Sequence, residues 1–174
     1  MTLGMQTNHA MALLLGGLAC LFDWRSRRVP NLLTFGGAAL ALGYALASHG
    51  FGGVLTGLEG WAVGLALFLP MFLLGGMGAG DVKLRACLGA WIGPREAFWM
   101  AIYAMIAGGV MGIGVALATG YARQAFSNVW MLLQYWTVMG LRPLPELTLA
   151  TARGPRLPYA IPIAAGAAAA IWMH

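Results

Sequence analysis

Hydrophobic positions in this chain run together in long stretches rather than alternating with polar ones. Residues 1–22, 29–58, 60–80, 97–122 and 157–174 contain no Asp, Glu, Lys or Arg. Each stretch is near or above the roughly 20 residues that cross a bilayer's hydrocarbon as a helix. Breaks between and within them predict helices at 5–22, 31–48, 54–74, 81–93, 97–119 and 157–173. Residues 124–141 are also free of charge but are patterned differently. On a helical wheel Gln124, Ser127, Asn128, Gln134 and Thr137 fall on one half, and Ala125, Val129, Leu132, Leu133, Trp136 and Met139 on the other. That is the pattern of a helix lying in the membrane interface, with Trp130, Tyr135 and Trp136 near head-group depth. The expected fold is all-α and polytopic, with about six transmembrane helices plus one interfacial amphipathic helix. It is read as a single membrane-embedded domain over 1–174, with the interfacial segment at about 121–156. Pro143, Pro145, Pro155 and Pro158 make the link to the last helix rich in turns.

Composition agrees. The chain is 60% hydrophobic and only 9% charged, against about a quarter charged in ordinary soluble domains, so it cannot build a charged outer shell. Its 26 glycines suit close helix packing in lipid. No basic segment precedes the first apolar run, so a cleaved signal peptide is not expected. Cys20 and Cys87 lie inside apolar runs and form no CxxC pair, which points to inert buried thiols rather than zinc or redox chemistry. His9, His49 and His174 are scattered, and neither metal nor cofactor is expected. With the N-terminus outside, the cytoplasmic side holds Arg25, Arg27, Arg28, Lys83, Arg85, Arg123, Arg142, Arg153 and Arg156, leaving only Arg95 outside. This orientation places both termini on the outer side of the inner (plasma) membrane. The net charge of +5 is then topological, and its partner is anionic lipid rather than nucleic acid.

Chemistry enters with the acids, which are Asp23, Glu59, Asp81, Glu96 and Glu146. The two aspartates close the first helix and open the fourth, so the topology sets both near the cytoplasmic face. Ionisable groups at membrane depth are expensive and mark function by default. Two carboxylates facing one water can divide peptide hydrolysis between them, the ionised one as base and the protonated one as acid. Each also has a structural reading. Asp23 could pair with Arg25, Arg27 or Arg28 at the surface, and Asp81 could be the N-cap of its helix. The fourth helix, at about 13 residues or about 20 Å, must start below the surface in a wet cavity or begin earlier than 81. Glu59 is expected to make a satisfied polar contact far from the aspartates, and Glu96 to pair with Arg95.

Gly78-Ala79-Gly80-Asp81 reads GxGD, and Gly78-Ala79-Gly80-Asp81-Val82-Lys83-Leu84 resembles the type IV prepilin peptidase form of that motif. Asp23-Trp24-Arg25-Ser26-Arg27-Arg28-Val29-Pro30-Asn31 resembles the same family's first-aspartate motif, and Leu157-Pro158-Tyr159-Ala160-Ile161-Pro162 its final span. The resemblance implies an intramembrane aspartic endopeptidase with Asp23 and Asp81 as the catalytic pair. Gly78, Gly80, Lys83, Pro30 and Asn31 are then candidate supporting residues. It implies prepilin substrates, whose short basic leader is cut at the cytoplasmic face. Large family members carry an extra N-terminal segment, often with CxxC pairs, and also N-methylate the product. This chain begins with its first helix and looks like the short Flp-type (tight-adherence) form, so methyltransferase activity is not expected. The competing reading is a small transporter or proton relay. It would place acids at mid-bilayer and show inverted repeats, and the sequence has neither pattern.

Overall fold

The computed structural model of the protein describes residues 3–144, 147–148 and 157–174. Among them there are helices and no strands. The order is α1 (Leu3–Ser26), one π-helical turn (Leu32–Gly36), α2 (Gly37–Ala66), α3 (Leu69–Leu73), α4 (Ala79–Ala118), α5 (Ala122–Met139) and α6 (Ala160–Met173). The stretches Leu32–Leu73 and Ala79–Ala118 are long and apolar enough to cross a membrane.

Two elements that look like single long helices are hairpins. Gly50 (φ 62°, ψ −154°) interrupts α2, and Gly93 (φ 83°, ψ 173°) interrupts α4. Only glycine enters that region without steric cost. The chain then doubles back, since Gly57 lies against Leu42 and Gly89 against Ala97. Pro94 follows Gly93 as the first residue of the second arm, where its missing N–H costs nothing. The second arm of α2 ends at Ala66 rather than near 74. Pro70 lacks an N–H, and its ring would clash with the carbonyl four residues back, so the chain restarts as the short α3.

The first arm of α4 is the centre of the bundle, with residues 84–93 buried on every side, as expected of a helix apolar all round save for Arg85. It is held by backbone proximity. A Cβ on Gly60 would collide with the Gly89 carbonyl, and one on Gly64 with the Arg85 carbonyl. In lipid, where apolar side chains gain little from meeting each other, such close backbone contact is what holds helices together. On the other side, Gly166 of α6 packs on Met100 and Ala104 of the second arm of α4. The Trp91 indole donates to the Gly37 carbonyl at 3.0 Å and ties α4 to the start of α2.

Helix α5 buries no residue. Its polar half is self-bonded, with Gln124 donating to Asn128 at 2.9 Å and Asn128 to the Tyr121 hydroxyl at 3.3 Å. Phe126, Val129, Trp130 and Leu133 stay exposed. The expected interfacial segment therefore contains an amphipathic helix, although Arg153, Arg156 and most of 145–156 lie outside the described residues. A cavity of about 510 Å³ opens between the two hairpin tips and α1, near His9, His49, Thr56 and Arg95. It sits at the far end of the bundle from Asp23 and Asp81.

Candidate active site

Helix α1 buries Ala12, Leu15, Ala19 and Asp23. These positions recur every three to four residues and form one helical stripe. Asp23 therefore continues an apolar face into the bundle, and it is only 7% exposed. Helix α1 closes immediately afterwards. The Arg27 N–H donates to the Asp23 carbonyl at 2.9 Å, and Arg27 adopts φ 53°, a left-handed C-terminal cap. The Asp23 carboxylate reaches a different helix, accepting the Ala160 backbone N–H at 3.2 Å. Ala160 is the first residue of α6, whose N–H has no partner within its own helix. A carboxylate at a helix N-terminus also meets the positive end of the helix dipole. The surface pairing considered for Asp23 thus gives way to a buried, structural contact across the bundle.

Asp81 enters from the opposite direction. Helix α4 begins at Ala79, two residues before the expected start, and its N-cap is Gly78 in extended conformation. Asp81 is therefore the third helical residue and not the cap. Its carboxylate folds back towards Gly78 and lies close enough to interact with that residue's backbone N–H, as the third helical residue does in a capping box. A Cβ on Gly78 would come within 3.2 Å of Asp81 Oδ2. Gly80 faces Val29 with room for a Cβ, the nearest atom being 3.6 Å away.

The carboxylates of Asp23 and Asp81 lie within Coulombic reach of each other. Two further groups share their surroundings, neither of them singled out from sequence. Arg85, one turn after Asp81, is 1% exposed, and its guanidinium stacks on Phe68 with Cζ 3.1 Å from the ring centroid. Tyr159, the N-cap of α6, interacts electrostatically with both Asp81 and Arg85. The topology read from sequence puts Arg85 on the cytoplasmic side, within the helix expected over 81–93, but the bundle closes over its side chain. The signal for its placement is the i, i+4 spacing from Asp81.

Lys83 points elsewhere. Its ammonium donates to Asn31 Oδ1 at 3.1 Å and sits 5.1 Å from the Phe35 ring centroid. Pro30 accepts the N–H groups of Leu33 and Thr34 and starts the next helix. The supporting residues thus form a brace between the start of α2 and α4. Glu59 is exposed with no polar partner among the described residues, and no ion pair joins Arg95 to Glu96. Cys87 is buried and Cys20 half-buried, both as free thiols. No cluster of three or more His, Cys, Asp or Glu capable of holding a metal occurs among the described residues.

Residues 10–113, which include both aspartates, match the model of the type IV leader peptidase family. Over 110 residues the chain is 36% identical to a prepilin leader peptidase/N-methyltransferase of Myxococcus xanthus (strain DK1622). That alignment covers 59% of this chain and 31% of the relative, so the chain spans about a third of the relative's length. No solved structure matches.

Proposed function

Because this chain belongs to the type IV leader peptidase family, we propose that it is an aspartic endopeptidase that removes the leader from type IV prepilins, with Asp23 and Asp81 as its catalytic pair. The observation that supports this reading is the proximity of the two aspartates. They are 58 positions apart in sequence, yet they lie within Coulombic reach of each other, at the end of α1 and the start of α4. A water between them loses a proton to the ionised carboxylate as its oxygen attacks the scissile carbonyl carbon. The protonated partner donates to the carbonyl oxygen, giving a neutral gem-diol. Collapse breaks the C–N bond. The carboxyl that took the water's proton passes it to the leaving amine, while the other carboxylate takes a hydroxyl proton from the gem-diol as it becomes the carboxylic acid. This restores the single shared proton.

The aspartate end also bears Arg25 in the last turn of α1, Arg27 and Arg28 just after it, and Arg123 at the start of α5, whereas Arg95 lies at the opposite tip. This asymmetry supports a six-span arrangement in the plasma membrane, with the aspartates at the cytoplasmic face and both termini outside. Flp-type substrates and cleavage without N-methylation complete the reading.

The test is a co-expressed Flp-type prepilin and mass spectrometry of the product. Wild type is expected to shorten the prepilin and leave an unmethylated terminus. Asp23→Asn and Asp81→Asn, at equal membrane levels, are each expected to lose at least about a hundredfold in rate. Cleavage by both variants at the wild-type rate would end the dyad assignment.

A further inference from the structure

Arg85 is the least expected group in the bundle. A guanidinium is permanently charged, and placing one where water cannot reach costs several kcal/mol unless it is compensated. Here the usual compensation is missing. Its Nε and Nη1 are buried with no hydrogen-bond partner, and no carboxylate among the described residues lies within ion-pair distance of it. Stacking on Phe68, itself 1% exposed, seals it further and returns only about 2 kcal/mol. What remains to hold the charge is the field of Asp81, one helical turn away.

The charges of this cluster balance in one protonation state. Asp23 and Asp81 without protons carry two negative charges. With one shared proton they carry one, and Arg85 brings the total to zero. In a low-dielectric interior the neutral assembly is the favoured one. We propose that Arg85 is the resident counter-charge of the aspartate pair, making its singly protonated, catalytically competent form the neutral form of the buried cluster. Arg85 is thus a positioning residue, acting through Asp81 without touching substrate. The proposal rests on the dyad reading above.

The other groups around the pair do not supply this charge. Lys83 is turned away to Asn31. From α6, Tyr159 is uncharged when protonated, and Cys20 of α1, beside Asp23, is a thiol. Without Arg85, the neutral form of the cluster would be the doubly protonated pair, which has no base. Base function would then require a higher pH.

The experiment is the pH–rate profile of prepilin cleavage by purified protein in proteoliposomes, for wild type, Arg85→Gln, Arg85→Lys and Phe68→Leu. Arg85→Gln is expected to move both limbs of the profile upward by about one pH unit or more, about tenfold in rate on the acid limb. Arg85→Lys keeps the charge and should stay close to wild type. Phe68→Leu, which unseals Arg85 to water, should shift the profile in the same direction by less, and it reads the effect even if Arg85→Gln does not accumulate. Unmoved limbs in both neutralised and unsealed proteins would overturn the proposal, as would a pH-independent loss shared equally by Lys and Gln. Asp23→Asn and Asp81→Asn are run alongside. If they cleave, the dyad reading fails; if they are inactive while the Arg85 limbs stay put, only the counter-charge fails.

Discussion

At the scale of single residues, Asp23 has two separable duties. Its Oδ2 accepts the first N–H of α6, and its proton-accepting capacity serves the proposed chemistry. Asn keeps an acceptor and loses the base; Ala loses both and leaves a buried N–H without a partner. Asp23→Asn is therefore expected to unfold within about 0.5 kcal/mol of wild type, while Asp23→Ala falls by about 1–3 kcal/mol. Chemical unfolding in detergent, monitored by circular dichroism, separates the two. A fully inactive but equally stable Asn variant is the expected signature of a catalytic carboxylate. Asp23 was legible in the sequence because it is an acid closing the first apolar run at membrane depth, within a stretch that resembles the first-aspartate motif. Arg85 was not, because the helix expected over 81–93 already contains it, and which of that helix's faces is enclosed depends on packing against distant residues such as Phe68.

At the scale of elements, the contact between the second arm of α2 and the first arm of α4 depends on Gly60 and Gly64, where the backbones nearly touch. Gly60→Leu cannot be relieved by a rotamer, since the obstacle is the Gly89 carbonyl. It is expected to cost about 3 kcal/mol or more and to abolish cleavage together with folding, seen as loss of a monodisperse peak in size-exclusion chromatography. Gly43→Leu, where a Cβ meets nothing within 4 Å, is the matched control and should be silent. Helix α5 makes a different prediction. Its exposed apolar face, with Phe126 and Val129, is expected to lie against lipid. Spin labels at Val129 and Asn128, on the two halves, should be relaxed preferentially by oxygen and by a polar nickel chelate respectively. Equal accessibility of both sites to the chelate would place α5 in water. The amphipathic periodicity of α5 was plain from sequence because it requires only local geometry.

At the scale of the whole molecule, the arms of the bundle alternate in direction, so its two ends differ in charge. Arg25, Arg27 and Arg28 mark the aspartate end, and His49 and Arg95 the hairpin tips. The expected orientation puts the tips outside. In a background lacking Cys20 and Cys87, a cysteine at His49 should react with a membrane-impermeant maleimide on intact spheroplasts. One at Arg28 should react only after permeabilisation. The reverse pattern would invert the proposed topology and move the proposed chemistry to the outer face. A proton relay fits this architecture less well than a protease, since both aspartates gather at one end and leave the mid-section of the bundle to apolar and small residues.

What the sequence determined by itself was whatever depends on short range or on solvent. The charge-free runs specified an all-helical membrane protein because continuous apolar stretches of about 20 residues satisfy their own backbone in a bilayer as helices, whereas barrel strands are shorter and alternate. The 3.6-residue period gave α5 its two faces, and the two aspartate motifs named the residues to watch. Tertiary structure alone decided which groups share an interior. The turns at Gly50 and Gly93 fold α2 and α4 back on themselves, and the glycine contacts bring α4 to the centre. Asp23 is thereby tied to Ala160 across 137 positions of sequence, and Arg85 is sealed beneath Phe68. Such encounters join residues far apart along the chain, and their energies depend on the burial and distance that packing creates.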